Sequence, residues 1–397
     1  MSQINVRNLS NENDDGSPEI VGVSTFSSTS FFVPPKGSTA ERPEDCEPGS
    51  IRFNTDTANL EYFRGKTLGW SQFELVNPNL GGGTGSNTGL GTRLLLAGGR
   101  ISAPAFTDTI EFVTISTLGN AQDFGNLAQS HGNGSSQGGC ASRTRGIWLS
   151  GQLGSSPSYS NVIQFVTFAS IGNASDFGDI NSARAAVGNL SNQTRAMCFG
   201  GSLSDGSKPT QIDAVTIAST GNAFDFGDMS TRTNNTANLA SSTRGIMAGG
   251  TVSPTRVNTI QFVTITTSGN TVDFGDLVDH GDGASSLLYN GVGYSNSTRG
   301  IIHGGRDVNG NMNNLIQFIT IATTGNSSDF GDTAVSAMHQ MGGSSPTRGV
   351  VGAGYNPSVT NAMEFVNIMS LGNASDFGDC TARDEVLGAC SNGHGGL

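Results

Sequence analysis

Lysine is nearly missing from this chain. Lys36, Lys66 and Lys208 are the only three, and 20 Lys and Arg face 32 Asp and Glu, for a net charge of -12. A basic surface that releases counterions from a phosphate backbone is therefore not expected, which argues against nucleic acid as a partner. No apolar run approaches the ~20 residues needed to span a bilayer as a helix, so membrane insertion is not expected either. The opening residues, Met1-Ser-Gln-Ile-Asn-Val-Arg7, lack the apolar run of a secretory signal, and export by the standard route is not expected. Five cysteines (Cys46, Cys140, Cys198, Cys380, Cys390) form no CxxC pair and keep no fixed spacing. That argues against a zinc site or a disulfide framework and predicts free thiols. The chain also has no HExxH, no GxSxG and no asymmetric acidic cluster, so neither an enzyme nor a bound cofactor is expected.

Glycine is what the chain has in excess: 57 of 397 residues, about twice the usual ~7 % share. Charged residues are only 13 %. A chain so rich in residues that accept positive φ, and so poor in helix surface, reads as all-β with many turns.

Internal repeats organise most of the sequence. The Phe of an Asp-Phe-Gly element falls at Phe124, Phe177, Phe226, Phe274, Phe330 and Phe377, and an Arg preceded by Thr falls at Arg93, Arg145, Arg195, Arg244, Arg299 and Arg348. Both markers count six units of about 50 residues. Each unit reads as four short strands. Strand a is the least regular, and strand b follows Thr-Arg, as in Thr243 to Gly250. Strand c is the Ile-Gln-Phe-Val-Thr-Ile type at Ile260 to Ile265, and strand d surrounds Asp-Phe-Gly. In strand c, Ile260 and Phe262 point to one face and Val263 and Ile265 to the other, which suits a sheet buried between two others. The expected architecture is a six-bladed β-propeller over residues 92–397. The segment Glu385 to Asn392 aligns with the strand a that opens other units and is expected to close the ring beside Leu94 to Leu96. A solenoid is the alternative.

A Gly-Gly after strand b (Gly249-Gly250), then Phe262 and Phe274, make the repeat similar to kelch repeats. It departs from them in two respects. Gly-Gly becomes Ser150-Gly151 and Gly352-Ala353, and Phe stands where kelch repeats carry Trp.

Ahead of the repeats, residues 1–33 read as an N-terminal arm, 34–80 as a small β module and 81–91 as a Gly-rich linker. Within the module, Ile51 to Asn54 and Asn59 to Phe63 predict a hairpin, with a third strand from Trp70. The run Val33-Pro-Pro-Lys-Gly-Ser-Thr-Ala-Glu-Arg-Pro43, then Gly49-Ser-Ile-Arg-Phe-Asn-Thr-Asp-Thr57, Leu60-Glu-Tyr-Phe63, Gly65 and Trp70, resembles a module of virion structural and tail-fibre-like proteins of tailed bacteriophages, especially those of marine bacteria. The resemblance covers roughly 40 residues. It implies a virion protein assembled in the host cytoplasm, attached to other virion proteins through this module and expected to be a homo-oligomer.

Six copies of Asp-Phe-Gly speak for structure: a Phe buried between sheets, with the flanking carboxylates bonded to backbone amides or to the recurrent Thr-Arg. Candidate ligand groups lie elsewhere. His131, Arg184, Arg232, His280, His339 and Arg383 each precede a strand a. They either ring one mouth of the channel, where they would hold an anion or acidic sugar, or bond within their own units. Tyr159, Tyr289, Tyr294 and Tyr355 fall near the variable b-to-c and d-to-a segments, where aromatic faces amid hydroxyls and amides suit carbohydrate, or simply pack. The c-to-d segments are nearly constant while the b-to-c segments differ in every unit, so the face carrying the latter is the expected binding face. The function expected is host-surface glycan recognition by a non-enzymatic virion protein. The alternative is a purely architectural capsid or tail protein.

Overall fold

The computed structural model describes residues 34–72 and 92–397, except 58, 103–104, 133–137, 155–157, 253–254, 279–288, 308–309 and 385–386. The arm 1–33, the linker 81–91 and residues 73–80 of the module lie outside the described residues. The chain divides into two compact units, Met1–Asn77 and Pro78–Leu397. Among the described residues there is no α-helix, only a short 3-10 turn at Thr39–Glu41. The protein is all-β, built from small, mostly antiparallel sheets.

In the first unit, Ile51–Asn54 and Asn59–Phe63 pair antiparallel, and Trp70–Gln72 pairs with the latter. A strand not anticipated from the sequence, Lys36–Gly37, runs parallel to Ile51–Asn54. Glu61 is completely buried, and Arg42, Arg52 and Asn54 converge on its carboxylate at 2.7, 3.4 and 3.1 Å. Buried charge demands such partners, which is why Arg, Asn and Glu recur among the apolar positions of this module.

The second unit holds six four-stranded antiparallel sheets in the strand order a-b-c-d. Strands b are Arg93–Ala97, Arg145–Gln152, Arg195–Phe199, Arg244–Ala248, Arg299–His303 and Arg348–Gly352 in sheets 1 to 6. Strands c are Thr109–Thr114, Tyr159–Thr167, Gln211–Thr216, Thr259–Thr264, Leu315–Thr320 and Ala362–Asn367. Strands d are Gln122–Asn126, Ser175–Asp179, Phe224–Asp228, Val272–Asp276, Ser328–Asp332 and Ser375–Asp379. Strands a of sheets 2 to 6 are Cys140–Ala141, Gly188–Ser191, Ala237–Ala240, Val292–Ser295 and Met341–Ser344.

Sheet 1 takes its strand a from the other end of the unit. Gly388–Ser391 pairs with Arg93–Ala97, Gly388 opposite Ala97 and Ser391 opposite Leu94. The turn that links strands a and b elsewhere is absent here, yet its hydrogen bond survives: Asn392 Oδ1 accepts from Arg93 N at 2.8 Å, as Asn192 Oδ1 does from Arg195 N within sheet 3. Of the predicted closing segment, Glu385 and Val386 lie outside the described residues, and the strand itself is Gly388–Ser391.

Consecutive sheets enclose six apolar cores, and the sixth core lies between sheets 6 and 1. Each core receives one Asp-Phe-Gly phenylalanine; Phe124, Phe177, Phe226, Phe274, Phe330 and Phe377 are all buried. In five sheets that ring meets a strand c Phe edge-on, 5.7–6.3 Å between centroids. Four of the five thiols are buried, and all five are free.

Two devices join each sheet to the next. In the first, the recurrent Arg donates from Nη1 to a carbonyl just past strand c of the following sheet: Arg93 to Phe168, Arg145 to Ile217, Arg195 to Ile265, Arg244 to Ile321, Arg299 to Ile368 and Arg348 to Ile115, at 2.5–3.3 Å. In the second, the constant c-to-d turn clasps the outer strand d of the preceding sheet. Gly221 N and Ala223 N donate to Phe177 O and Asp179 O, and Asn222 Oδ1 accepts from Asp179 N. The same three bonds join Gly119, Ala121 and Asn120 of sheet 1 to sheet 6. The flanking Asp carboxylates, expected to bond backbone amides or the recurrent Thr-Arg, make no bond in this clasp. The clasp uses the Asp backbone, because an edge strand's unpaired amides and carbonyls are what need covering.

Candidate functional site

Strand direction puts the d-to-a connections and b-to-c loops on one face and the a-to-b and c-to-d turns on the other. On the first face, each connection entering a sheet pairs briefly with that sheet's own b-to-c loop. Examples are Gly132 with Gln152, Asn234 with Thr251, Tyr289 with Arg306 and Met338 with Tyr355.

A buried polar side chain of strand c anchors these connections: Glu111, Gln164, Asp213, Gln261, Gln317 and Glu364 in sheets 1 to 6. Glu364 Oε2 accepts from Ala334 N and Val335 N at 2.6 and 3.0 Å, Gln261 Oε1 from Thr231 N, and Gln164 Oε1 from Gln129 N. The sequence reading overlooked this position. Its signal was present, since Gln, Glu or Asp stands there in every repeat, in the middle of an apolar strand.

These anchors decide the fate of the expected ring of cations. Arg184 is fully buried and bonds Asp213 at 2.5 Å. Arg383, equally buried, pairs with Glu111. His131 is enclosed between Gln164 Nε2 and Gln129 Oε1, both at 2.9 Å, and burial lowers its pKa to about 4, so it is neutral near pH 7. His339 bonds Asp384 through Nδ1 at 2.6 Å and is 8 % exposed. Arg232 is exposed, and His280 lies outside the described residues. Arg184, Arg383, His131 and His339 therefore bond inward, because a cation placed under a b-to-c loop must find a carboxylate or an amide there.

The tyrosines divide. Tyr159, Tyr289 and Tyr355 are half-buried on the loop face. Tyr294 is a core residue of strand a in sheet 5, 3 % exposed, its ring filling the space left by Gly349. Its hydroxyl meets His303 Nδ1 at 3.1 Å, and His303 Nε2 meets Glu364 at 2.7 Å. As a ligand group Tyr294 is corrected: it belongs to the packing between sheets 5 and 6.

Strands a of sheets 1 and 3 to 6, with Gly138 and Gly139 just ahead of that of sheet 2, line a narrow cavity of about 50 Å³ that Asn189, Asn238, Ser191, Ser295, Ser344 and Ser391 face. Ser391 Oγ donates to Ser344 O and Ser295 Oγ to Ala240 O. The segment after Ser391 crosses one end of this cavity. His394 Nε2 donates to Ala141 O at 3.0 Å and its Nδ1 accepts from Gly396 N at 3.1 Å, while Gly395 N reaches Ser295 O. Burial also lowers the His394 pKa to about 4. A cavity of that volume admits one or two waters and is too small for a sugar. Among the described residues no three His, Cys, Asp or Glu side chains converge as metal ligands.

No protein-family model matches the chain, and no curated protein matches it.

Proposed function

We propose that the six sheets are the blades of a kelch-like six-bladed β-propeller, carried by a non-enzymatic virion structural protein of a tailed bacteriophage, and that the propeller contributes to recognition of host-surface glycans. The ring is supported by the bonds from Arg348 to Ile115 O and from Gly119 N to Phe377 O, which join sheet 6 to sheet 1. The virion context rests on the resemblance of the first unit, which attaches the chain to the particle. One observation carries the binding role. The c-to-d face is committed to identical clasps in all six sheets, whereas the b-to-c face differs in every sheet and bears the half-buried Tyr159, Tyr289 and Tyr355. A scaffold that holds one face constant and frees the other is suited to display.

A second, architectural reading has its own observation. Leu371, Leu118 and Ile171, at the tips of the c-to-d turns of sheets 6, 1 and 2, are 60–62 % exposed, where sheets 3 to 5 have Thr220, Ser268 and Thr324. Exposed apolar tips suit contact with another virion protein.

Purified full-length protein should bind host cells and a glycan array, and Tyr159→Ala with Tyr355→Ala should weaken attachment by at least about 5-fold, roughly one lost stacking contact of about 1 kcal/mol, with an unchanged melting temperature. Co-assembly with capsid or tail proteins in the absence of any cell or glycan binding would favour the architectural reading. The position of the propeller on the particle, by cryo-EM, separates tail-tip display from a capsid role.

A further inference from the structure

Two arginines on the loop face differ from the recurrent arginines and from Arg184 and Arg383. Arg256 lies in the b-to-c loop of sheet 4, and Arg306 in that of sheet 5. Between them is Tyr289, on the connection that enters sheet 5. The Arg256 guanidinium sits 4.1 Å over the Tyr289 ring. Arg306 Nη1 lies 3.3 Å from the Tyr289 hydroxyl, its Nε bonds Gly310 O at 2.7 Å, and its backbone pairs with that of Tyr289.

The electrostatics of this cluster are incomplete. Each recurrent Arg gives Nη1 to a carbonyl, and Arg184 and Arg383 each hold a carboxylate. Among the described residues neither Arg256 nor Arg306 has a carboxylate within ion-pair distance. Arg256 Nη1 is shielded from solvent and has no hydrogen-bond partner. The carboxylate nearest in sequence, Asp307, is 8 % exposed and occupied with Asn311 N and Nδ2 at 2.8 and 3.1 Å. In a chain with a net charge of -12, two guanidinium groups meet on one tyrosine with no compensating carboxylate among the described residues, and the shielded N–H of Arg256 without a partner calls for one.

We propose that Arg256, Tyr289 and Arg306 form a subsite for a sugar bearing a carboxylate or sulfate. The planar forks of two guanidinium groups match an oxyanion in geometry and charge, and the stacked Arg256–Tyr289 pair presents a flat surface to the sugar ring. The inference rests on the glycan-binding reading and assigns it a ligand class and a place, between sheets 4 and 5. It also relocates the anion site expected of the His/Arg positions that the fold buries.

The test measures binding of full-length protein to oligogalacturonate, to its carboxyl-reduced neutral counterpart, and to a sulfated galactan oligosaccharide. We expect at least one charged probe to bind about 10-fold more tightly than the neutral one at low salt, the size of one charge-assisted contact. Arg256→Gln and Arg306→Gln should each remove that preference at unchanged melting temperature. Arg256→Lys, which keeps the charge and loses the fork, should bind in between. Wild-type affinity for the charged probes in Arg256→Gln and Arg306→Gln overturns the subsite. So does equal binding of charged and neutral probes. If neutral glycans or host cells are still bound and these variants change nothing, the subsite falls and the glycan reading stands. If no glycan and no cell is bound, both fall.

Discussion

The guanidinium of Arg145 lies 4.9 Å over Phe165 of its own sheet and donates to Ile217 O of the next, so a single side chain serves two sheets. The same arrangement recurs at Arg93, Arg244, Arg299 and Arg348 over Phe112, Phe262, Phe318 and Phe365. Sheet 3 is informative because its strand c has Ala214 where the others have Phe. The aromatic ring reappears at Phe224, the residue paired with Ala214 across the strands, and Arg195 lies over Phe224 and Phe226 instead. The recurrence of Arg and Phe was legible in the sequence. The pairing between them was not, because it depends on which residues face each other across two strands. Burial at this scale also has a pH consequence. His131 and His394 have folded-state pKa values near 4, against about 6.5 when unfolded. Below pH 6.5 the unfolded chain therefore binds protons that the folded chain does not, and stability falls with pH until the folded values are reached. Between pH 7 and pH 5 each histidine should cost about 2 kcal/mol. Chemical denaturation at the two pH values should show this loss, and His131→Gln should remove about half of it. A stability independent of pH over this range would mean that both imidazoles protonate freely in the folded state.

The c-to-d turn, rather than any single strand, is the element that explains the repeat. In the Gly-Asn-Ala turn the Gly amide donates to the preceding sheet's strand d, Asn accepts its Asp amide, and the third residue donates to its Asp carbonyl. The strand d glycine on the other side of the contact is as constrained. Gly178 has φ +143°, and a Cβ there would lie 2.5 Å from Gly221 O. Gly178→Ala should lose about 2–4 kcal/mol, combining strained φ with a backbone clash. Gly172 has open space around its α-carbon, and Gly172→Ala should stay within about 0.5 kcal/mol of wild type. Equal effects of the two substitutions in thermal or urea denaturation would remove the clasp as the explanation. Strands b, c and d were readable from periodicity. Strand a was the least regular, and the structure explains why: its residues answer to the narrow central cavity and to the neighbouring strands a, so Gly, Ser, Asn and Cys alternate there without a fixed apolar pattern.

At the level of the whole second unit, one sheet is assembled from residues almost 300 positions apart. Gly388–Ser391 supplies the inner strand of sheet 1, Asn392 replaces a missing turn, and Gly388 O accepts from Trp148 Nε1 of sheet 2. Removing residues 388–397 should uncover strand b of sheet 1 and lower the melting temperature by more than about 10 °C, with oligomers appearing in size-exclusion chromatography as the bare edge seeks a partner. A permuted chain carrying residues 387–397 ahead of Arg93 should recover both, since the strand's position in space matters and its place in the sequence does not. A truncated protein as stable as the full chain, with an unchanged oligomeric state, would contradict this account.

By itself, the sequence determined the six repeats, their strand order b, c, d, the buried Phe of each and the contrast between a constant and a variable face. All of these follow from local spacing and alternation, which a chain must obey before it packs. Only the tertiary structure decided where the charges go. Whether Arg184, Arg383 and His131 ring a mouth or bond within their units could not be read locally, because Asp213 and Gln164 lie 29 and 33 positions away in apolar strands and Glu111 lies near the other end of the unit. A buried charge is tolerated only beside its partner, and that adjacency is set by which sheet packs on which. The same packing left Arg256 and Arg306 beside Tyr289 without a carboxylate among the described residues.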